Sequence, residues 1–426
     1  MQDWAGWLLV LFSFSVVLMW KHVRSDTKVV RAIWFCLVFH HAVAYLNVYA
    51  PDASTFLDVY IPDASMFHGD GVTFASLSEP EWRLLNAGVI CGSDIYIQFL
   101  GSFYRAFGSS HFLGKELSVL AFVLSCIVLV KLVDHLDLRR FRVGIVLLYG
   151  LLPSVVIFTS VTLRESWQVL FFLLSVYWAI RLYKQPGILK VSFLLISVSC
   201  FGLMHHGLSR YAVYLSAICL YWGIFGHKKS VRWARDLRFI FAGLIIACVI
   251  ISSHKIGLFM SLGEALEGVK GFRLSLLAYD VRTTYSFMLD TSSVHGLVTT
   301  IPMVFAEYMF APFPWQVENV KDIYALLESI LRFLLLFSAL SSWHRSSGEA
   351  RSCYGFLLTA VLGMELMWAL GTVNWGTAAR HHVPGYSVIV LLGAPGVILF
   401  MRKLHLEMFG RGKVSGELNE QERHMS

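Results

Sequence analysis

Charge is what this chain has least of. Asp, Glu, Lys and Arg make up 15% of its 426 residues against 57% hydrophobic ones, and the mean hydropathy is +0.64. A soluble globular domain carries about 25% charged residues, so this composition excludes one and points to an integral membrane protein. Cysteine is scarce as a framework. Of seven, Cys36, Cys126, Cys200, Cys219, Cys248 and Cys353 fall in or beside apolar runs, and Cys91 alone falls in a predicted exterior loop. No exterior disulfide set can form within one chain, and the rest read as small buried hydrophobes. HExxH and CxxC patterns are absent. Basic residues are missing ahead of the first apolar run (4–20), whereas Lys21, Arg24, Lys28 and Arg31 follow it. That order is the reverse of a secretory signal's and predicts a retained span with the N-terminus outside.

What the chain has is apolar runs near the roughly 20 residues that cross a bilayer as a helix. Spans are predicted at 4–20, 29–49, 116–133, 143–162, 166–182, 191–204, 211–225, 239–253, 323–342, 353–370 and 385–401. The expected fold is an all-α membrane protein of about eleven transmembrane helices, forming one polytopic domain over 1–401 with a basic, partly disordered cytoplasmic tail over 402–426. Alternating from an outside N-terminus puts about two thirds of the 35 Lys and Arg in cytoplasmic connections. This is the positive-inside pattern. The net charge of +7 is then a feature of topology and of anionic lipid, and gives no argument for nucleic acid. The stretch 296–315 contains Pro302, Glu307, Pro312 and Pro314, and is read as a helix that lies in or re-enters the exterior interface.

Two exterior regions, 50–115 and 254–322, are longer than connecting turns. The first opens with "APDASTFLDVYIPDASMFHGDG", where PDAS occurs twice and Asp52, Asp58, Asp63 and Asp70 gather with His68. It continues with "EPEWRLLNAGV", an amphipathic stretch suited to the membrane surface. The doubled PDAS is too short and local for an internal repeat. Pro62 would clash with the carbonyl of Asp58, so an unbroken helix through both copies is not expected. Exterior turns supply single arginines (Arg164, Arg210, Arg380) and histidine pairs (His205 with His206, His381 with His382). Ionisable groups at a membrane border normally line a cavity, and a carboxylate surrounded by arginines suits a substrate with a phosphate beside a group to be deprotonated. The bland readings are helix-start chemistry for PDAS, snorkelling anchors for the arginines and polar helix ends for the histidine pairs.

"PDASMFHGDGVTFA", "LPSVVIFTSVTLRESWQVLFFLL", "APFPWQVENVKDIYALLESIL" and "NWGTAARHHVPGYSVIVLL", in that order, resemble the polytopic GT-C class of sugar transferases, in particular bacterial relatives in exopolysaccharide, capsule and O-antigen assembly. The resemblance implies transfer of sugar from a polyprenyl-phosphate or polyprenyl-diphosphate carrier to a glycan or lipid acceptor, on the periplasmic side of the bacterial inner membrane. It implies a reacting aspartate in the first exterior loop followed by an aromatic residue and a histidine. Asp63, with Phe67 and His68 behind it, matches better than Asp52. Asp52, His68, Asp70 and Glu165 are expected as supporting or acceptor-binding groups, and Arg164, Arg210, Arg282, Arg380 and His381 as phosphate-binding groups. The chain has His381 and His382 where the class commonly has a second arginine. No metal ligands are assigned and no cofactor is specified, although a divalent metal is compatible with the reaction. The alternatives are a repeat-unit polymerase or ligase acting on lipid-linked oligosaccharide, resting on the later loops, and a non-enzymatic transporter of lipid-linked sugar.

Overall fold

A computed structural model of the chain describes residues 3–50, 62–78, 81, 92–225, 262–278, 282–290 and 292–409. Among the described residues the structure is helical, and its one β-bridge joins Thr284 to Asn374. The principal helices are α1 (Trp4–Met19), α2 (Thr27–Tyr49), α3 (Pro62–Ser76), α4 (Ser93–Phe107), α5 (His111–His135), α6 (Arg142–Gly150), α7 (Pro153–Thr159), α8 (Glu165–Lys184), α9 (Ile188–Leu203), α10 (His206–Phe225), α11 (Leu262–Leu277), α12 (Val294–Phe310), α13 (Val320–Arg345), α14 (Gly348–Gly371) and α15 (Trp375–Phe409).

Several of these ends are written locally. Asp26 accepts from the amides of Lys28 and Val29 to start α2, and Ser110 does the same for Phe112 and Leu113 at α5. Both are side-chain N-caps that satisfy otherwise orphaned donors. Pro62 opens α3, where its missing N–H costs nothing, so Asp63 stands in the first turn. Residues 51–61, with Asp52 and Asp58, lie outside the described residues, as do 82–91 of the predicted surface helix.

Eleven spans are not found among the described residues. There, five helices are long and apolar enough to cross a membrane: α2, α5, α13 from Asp322, α14 and α15. A sixth counts if α6 and α7 form one broken span, for they meet at a 64° bend. The break falls where Pro153 begins a new helix, so the predicted 143–162 is not continuous. α1 and α9 are apolar but have 16 residues each, about 24 Å of helix against a hydrocarbon core of about 30 Å. α8 and α10 are not among the crossing helices. The predicted 239–253 lies outside the described residues. α12 is helical despite Pro302 and is not among the crossing helices. α15 runs on to Phe409, so 402–409 is helix rather than disordered tail: "RKLHLEMF" contains neither Gly nor Pro.

The chain divides into two compact units, Met1–Tyr177 with Ser192–Ala212, and Trp178–Val191 with Val213–Ser426. In the first, α1 and α2 pack on α5, and α3 pairs with α4, where Gly101 lets Phe74 lie against the helix backbone. In the second, α13, α14 and α15 pack together with α12 alongside. α13 and α15 touch main chain to main chain: a Cβ on Gly393 would run into the Leu335 carbonyl, and Ser338 donates to the Gly393 carbonyl at 2.7 Å. Close approach through a small residue is how helices pack tightly where no hydrophobic effect drives them together.

Candidate functional site

In the first unit, α3 and the start of α8 come together from positions about a hundred residues apart. The Arg164 guanidinium lies 5.4 Å from the centroid of the Phe67 ring and donates to Ser93 Oγ at 2.8 Å. The Phe67 ring in turn meets Tyr96 edge to face, 5.2 Å between centroids. Asp63 is one helical turn before Phe67, so it shares the α3 face turned to Arg164, and it is half-buried. Arg164 and Glu165 are buried at 6% and 3% exposure. A cation held over an aromatic face, with a half-buried carboxylate one helical turn along α3 from that ring, makes a polar site in a low-dielectric surrounding.

His68 extends the site towards α5. Its Nδ1 is 2.7 Å from the Tyr104 hydroxyl, and its ring stacks on His111 at 3.6 Å. Burial, followed by the neighbouring His111 and Lys115, pushes the His68 pKa down to about 4, so the ring is neutral at pH 7. Burial also raises the Tyr104 pKa, which keeps its hydroxyl protonated. His68 therefore serves as a neutral hydrogen-bonding group rather than a positive anchor. Asp70 is exposed, and so is Arg210 on α10.

The other predicted phosphate ligands are in the second unit. Arg282 makes a two-pronged pair with Asp322, 2.8 Å on each prong, with Glu318 at 3.3 Å. The hydrogen bonds it donates to Asp322 raise its pKa and hold the guanidinium charged. Its fork is thus already engaged by protein carboxylates. His381 stacks on Trp368 at 3.9 Å and pairs through Nδ1 with Thr372 Oγ1 at 2.9 Å. Arg380 is half-buried in the first turns of α15.

Sequence reasoning missed a polar centre inside the second unit. His382 Nε2 lies 3.1 Å from the Tyr308 carbonyl, which only accepts, so Nε2 carries a proton. Its Nδ1 is 2.7 Å from Glu365 Oε2, which also accepts from the Tyr308 hydroxyl at 3.0 Å. One proton lies between Nδ1 and Oε2, so the pair is neutral overall whichever atom holds it. On α13, Arg332 is buried beneath the Tyr386 ring, and Tyr386 donates to Glu328 at 3.3 Å. Glu307 accepts from the amides of Ser286 and Phe287 at 2.7 and 2.8 Å, pinning the segment 282–290 to α12. The signal was present in "LLESILRFLLLF" and "LGMELMW", where Glu328, Arg332 and Glu365 interrupt apolar runs. A third buried set, His41 against Glu116 at 2.8 Å and Lys115 bonded to Asn47, links α2 to α5 and was also missed. Among the described residues no three His, Cys, Asp or Glu side chains gather as a metal site.

Comparison with protein-family models, with curated proteins and with solved structures found no match.

Proposed function

We infer that the chain is a GT-C-like membrane glycosyltransferase, moving a sugar from a polyprenyl-phosphate-linked donor to an acceptor on the periplasmic face. The observation that carries this reading is the approach of Arg164 to the Phe67 face of α3, one turn from Asp63. It joins a carboxylate and a cation from separate motifs in one partly desolvated place. Asp63 deprotonates or orients the acceptor hydroxyl for attack on the anomeric carbon, and Arg164 stabilises the charge that develops on the departing phosphate. Neutral His68, fixed by Tyr104, shapes the acceptor side of the site.

The test is transfer from a synthetic polyprenyl-linked sugar by the purified chain. Asp63→Asn is expected to lower the rate by about 10²- to 10⁴-fold, the usual contribution of a positioned base. Asp70→Asn, at an exposed position, should change it little. A stably folded Asp63→Asn protein with full activity would refute the assignment. A repeat-unit polymerase is favoured by one observation, the buried Glu365–His382 pair in the second unit. On that reading His382→Gln abolishes chain growth while Asp63→Asn spares it.

A further inference from the structure

Arg332 is 3% exposed, yet its Nε and Nη1 have no hydrogen-bond partner among the described residues. A guanidinium removed from water is stable only when its N–H groups and its charge are met, and one aromatic face meets neither fully. The neighbouring carboxylates are otherwise occupied. Glu365 is neutralised in its pair with His382, and Glu328 accepts from Tyr386. A third unmatched group is the Tyr285 hydroxyl, buried within electrostatic reach of Arg332 and Glu365. Burial raises the Tyr285 pKa and keeps it a donor. One acceptor, Glu365 Oε1, is also unmatched.

We propose that Arg332 and Tyr285 form an oxyanion site in the second unit whose ligand is a phosphoryl group. Three unmatched donors on two separate elements suit the several oxygens of a tetrahedral anion. The single unmatched acceptor, Glu365 Oε1, asks for a ligand that also carries a proton. A phosphate ester, with a second pKa of about 6, retains a protonated fraction near neutrality, whereas sulfate does not. Intramembrane arginines of this kind mark substrate pathways, and the ligand chemistry is shared by free phosphate and the phosphate of a lipid carrier. The site does not depend on the glycosyl-transfer reading, because a transporter would need it equally.

The experiment uses the full chain purified in detergent micelles and two probes, inorganic phosphate and a short polyprenyl phosphate, with sulfate as the comparison anion. Binding and thermal unfolding are measured for the wild type and for Arg332→Met, Arg332→Lys, Tyr285→Phe and the exposed control Arg351→Gln. At least one probe should bind the wild type, and which one does identifies the source of the phosphate. Arg332→Met should weaken binding by about tenfold or more and Tyr285→Phe by about threefold, with Arg332→Lys between them. Without phosphate, Arg332→Met should unfold at a temperature no lower than the wild type, because it removes buried N–H groups that no protein atom accepts from. An arginine serving only to hold the helices would give the opposite shift. Should Arg332→Met not fold, Tyr285→Phe, which removes only an oxygen, still decides the matter. The proposal is overturned if neither probe binds, if the variants bind as tightly as the wild type, or if sulfate binds as well as phosphate.

Discussion

Glu307 offers the most direct measurement of how a buried carboxylate organises this fold. Its two oxygens each take one backbone amide, Ser286 at 2.7 Å and Phe287 at 2.8 Å, from a segment with no helix of its own. Hydrogen bonds to a charged acceptor contribute about 1.5–3 kcal/mol each. In Glu307→Gln one oxygen becomes an NH₂ that faces an N–H, so one bond is lost and a donor is left unmatched, a local cost of roughly 2–3 kcal/mol. If opening of the segment governs exchange, the Ser286 and Phe287 amides should exchange roughly 30- to 150-fold faster with deuterated solvent. Tyr285, whose amide donates to the Val373 carbonyl at 2.8 Å, reports whether opening spreads beyond the two tethered residues. Hydrogen–deuterium exchange by mass spectrometry on wild type and variant reads all three. Unchanged exchange at Ser286 and Phe287 would show that Glu307 does not tether the segment.

Two further outcomes follow from named contacts. His68 has its folded pKa lowered to about 4 from 6.5, so between these values the unfolded state binds more protons and stability falls as the pH drops. The loss, complete below pH 4, is at most about 3 kcal/mol; thermal unfolding from pH 7 to 4 should show it, and a His68→Asn variant should show less of it. Gly393→Ala should lower the unfolding temperature, at a cost of about 1–3 kcal/mol, because its methyl meets the Leu335 main chain. Gly396→Ala meets the Ser338 side chain rather than main chain, and the hydroxyl can turn away for the loss of its bond to the Gly393 carbonyl, about 1 kcal/mol, so its effect should be the smaller in the same assay.

How much of this was legible in the sequence depended on whether the cause was local. The helical character of the predicted spans that are described, the start of α3 at Pro62 and the presence of a carboxylate in its first turn follow from hydropathy and proline chemistry. Span number did not follow, because apolar composition does not measure helix length: α1 and α9 are short and Pro153 breaks a run that reads as continuous. At the candidate site, Asp63, His68, Arg164 and Glu165 were visible as unusual residues, but the contact of Arg164 with Phe67 spans about a hundred residues and has no local cause. The second unit's centre was overlooked for a related reason. Glu328 and Arg332 sit inside an apolar run on α13 and Glu365 inside another on α14, and each run looks merely blemished until the two helices are brought together.

The contact of Gly393 with Leu335 bears on how any ligand could reach Arg332. Leu335 is three residues beyond Arg332 on α13, and Gly393 is two turns beyond Tyr386 on α15. With main chain against main chain there, the two helices cannot slide past or roll over one another without losing that seat, so Arg332 and the ring above it behave as a fixed floor. Access must then come from the walls, α12 with Tyr308 and α14 with Glu365, or from the 282–290 strap that Glu307 holds down. On the last of these routes Glu307 is the latch of the centre as well as a tether.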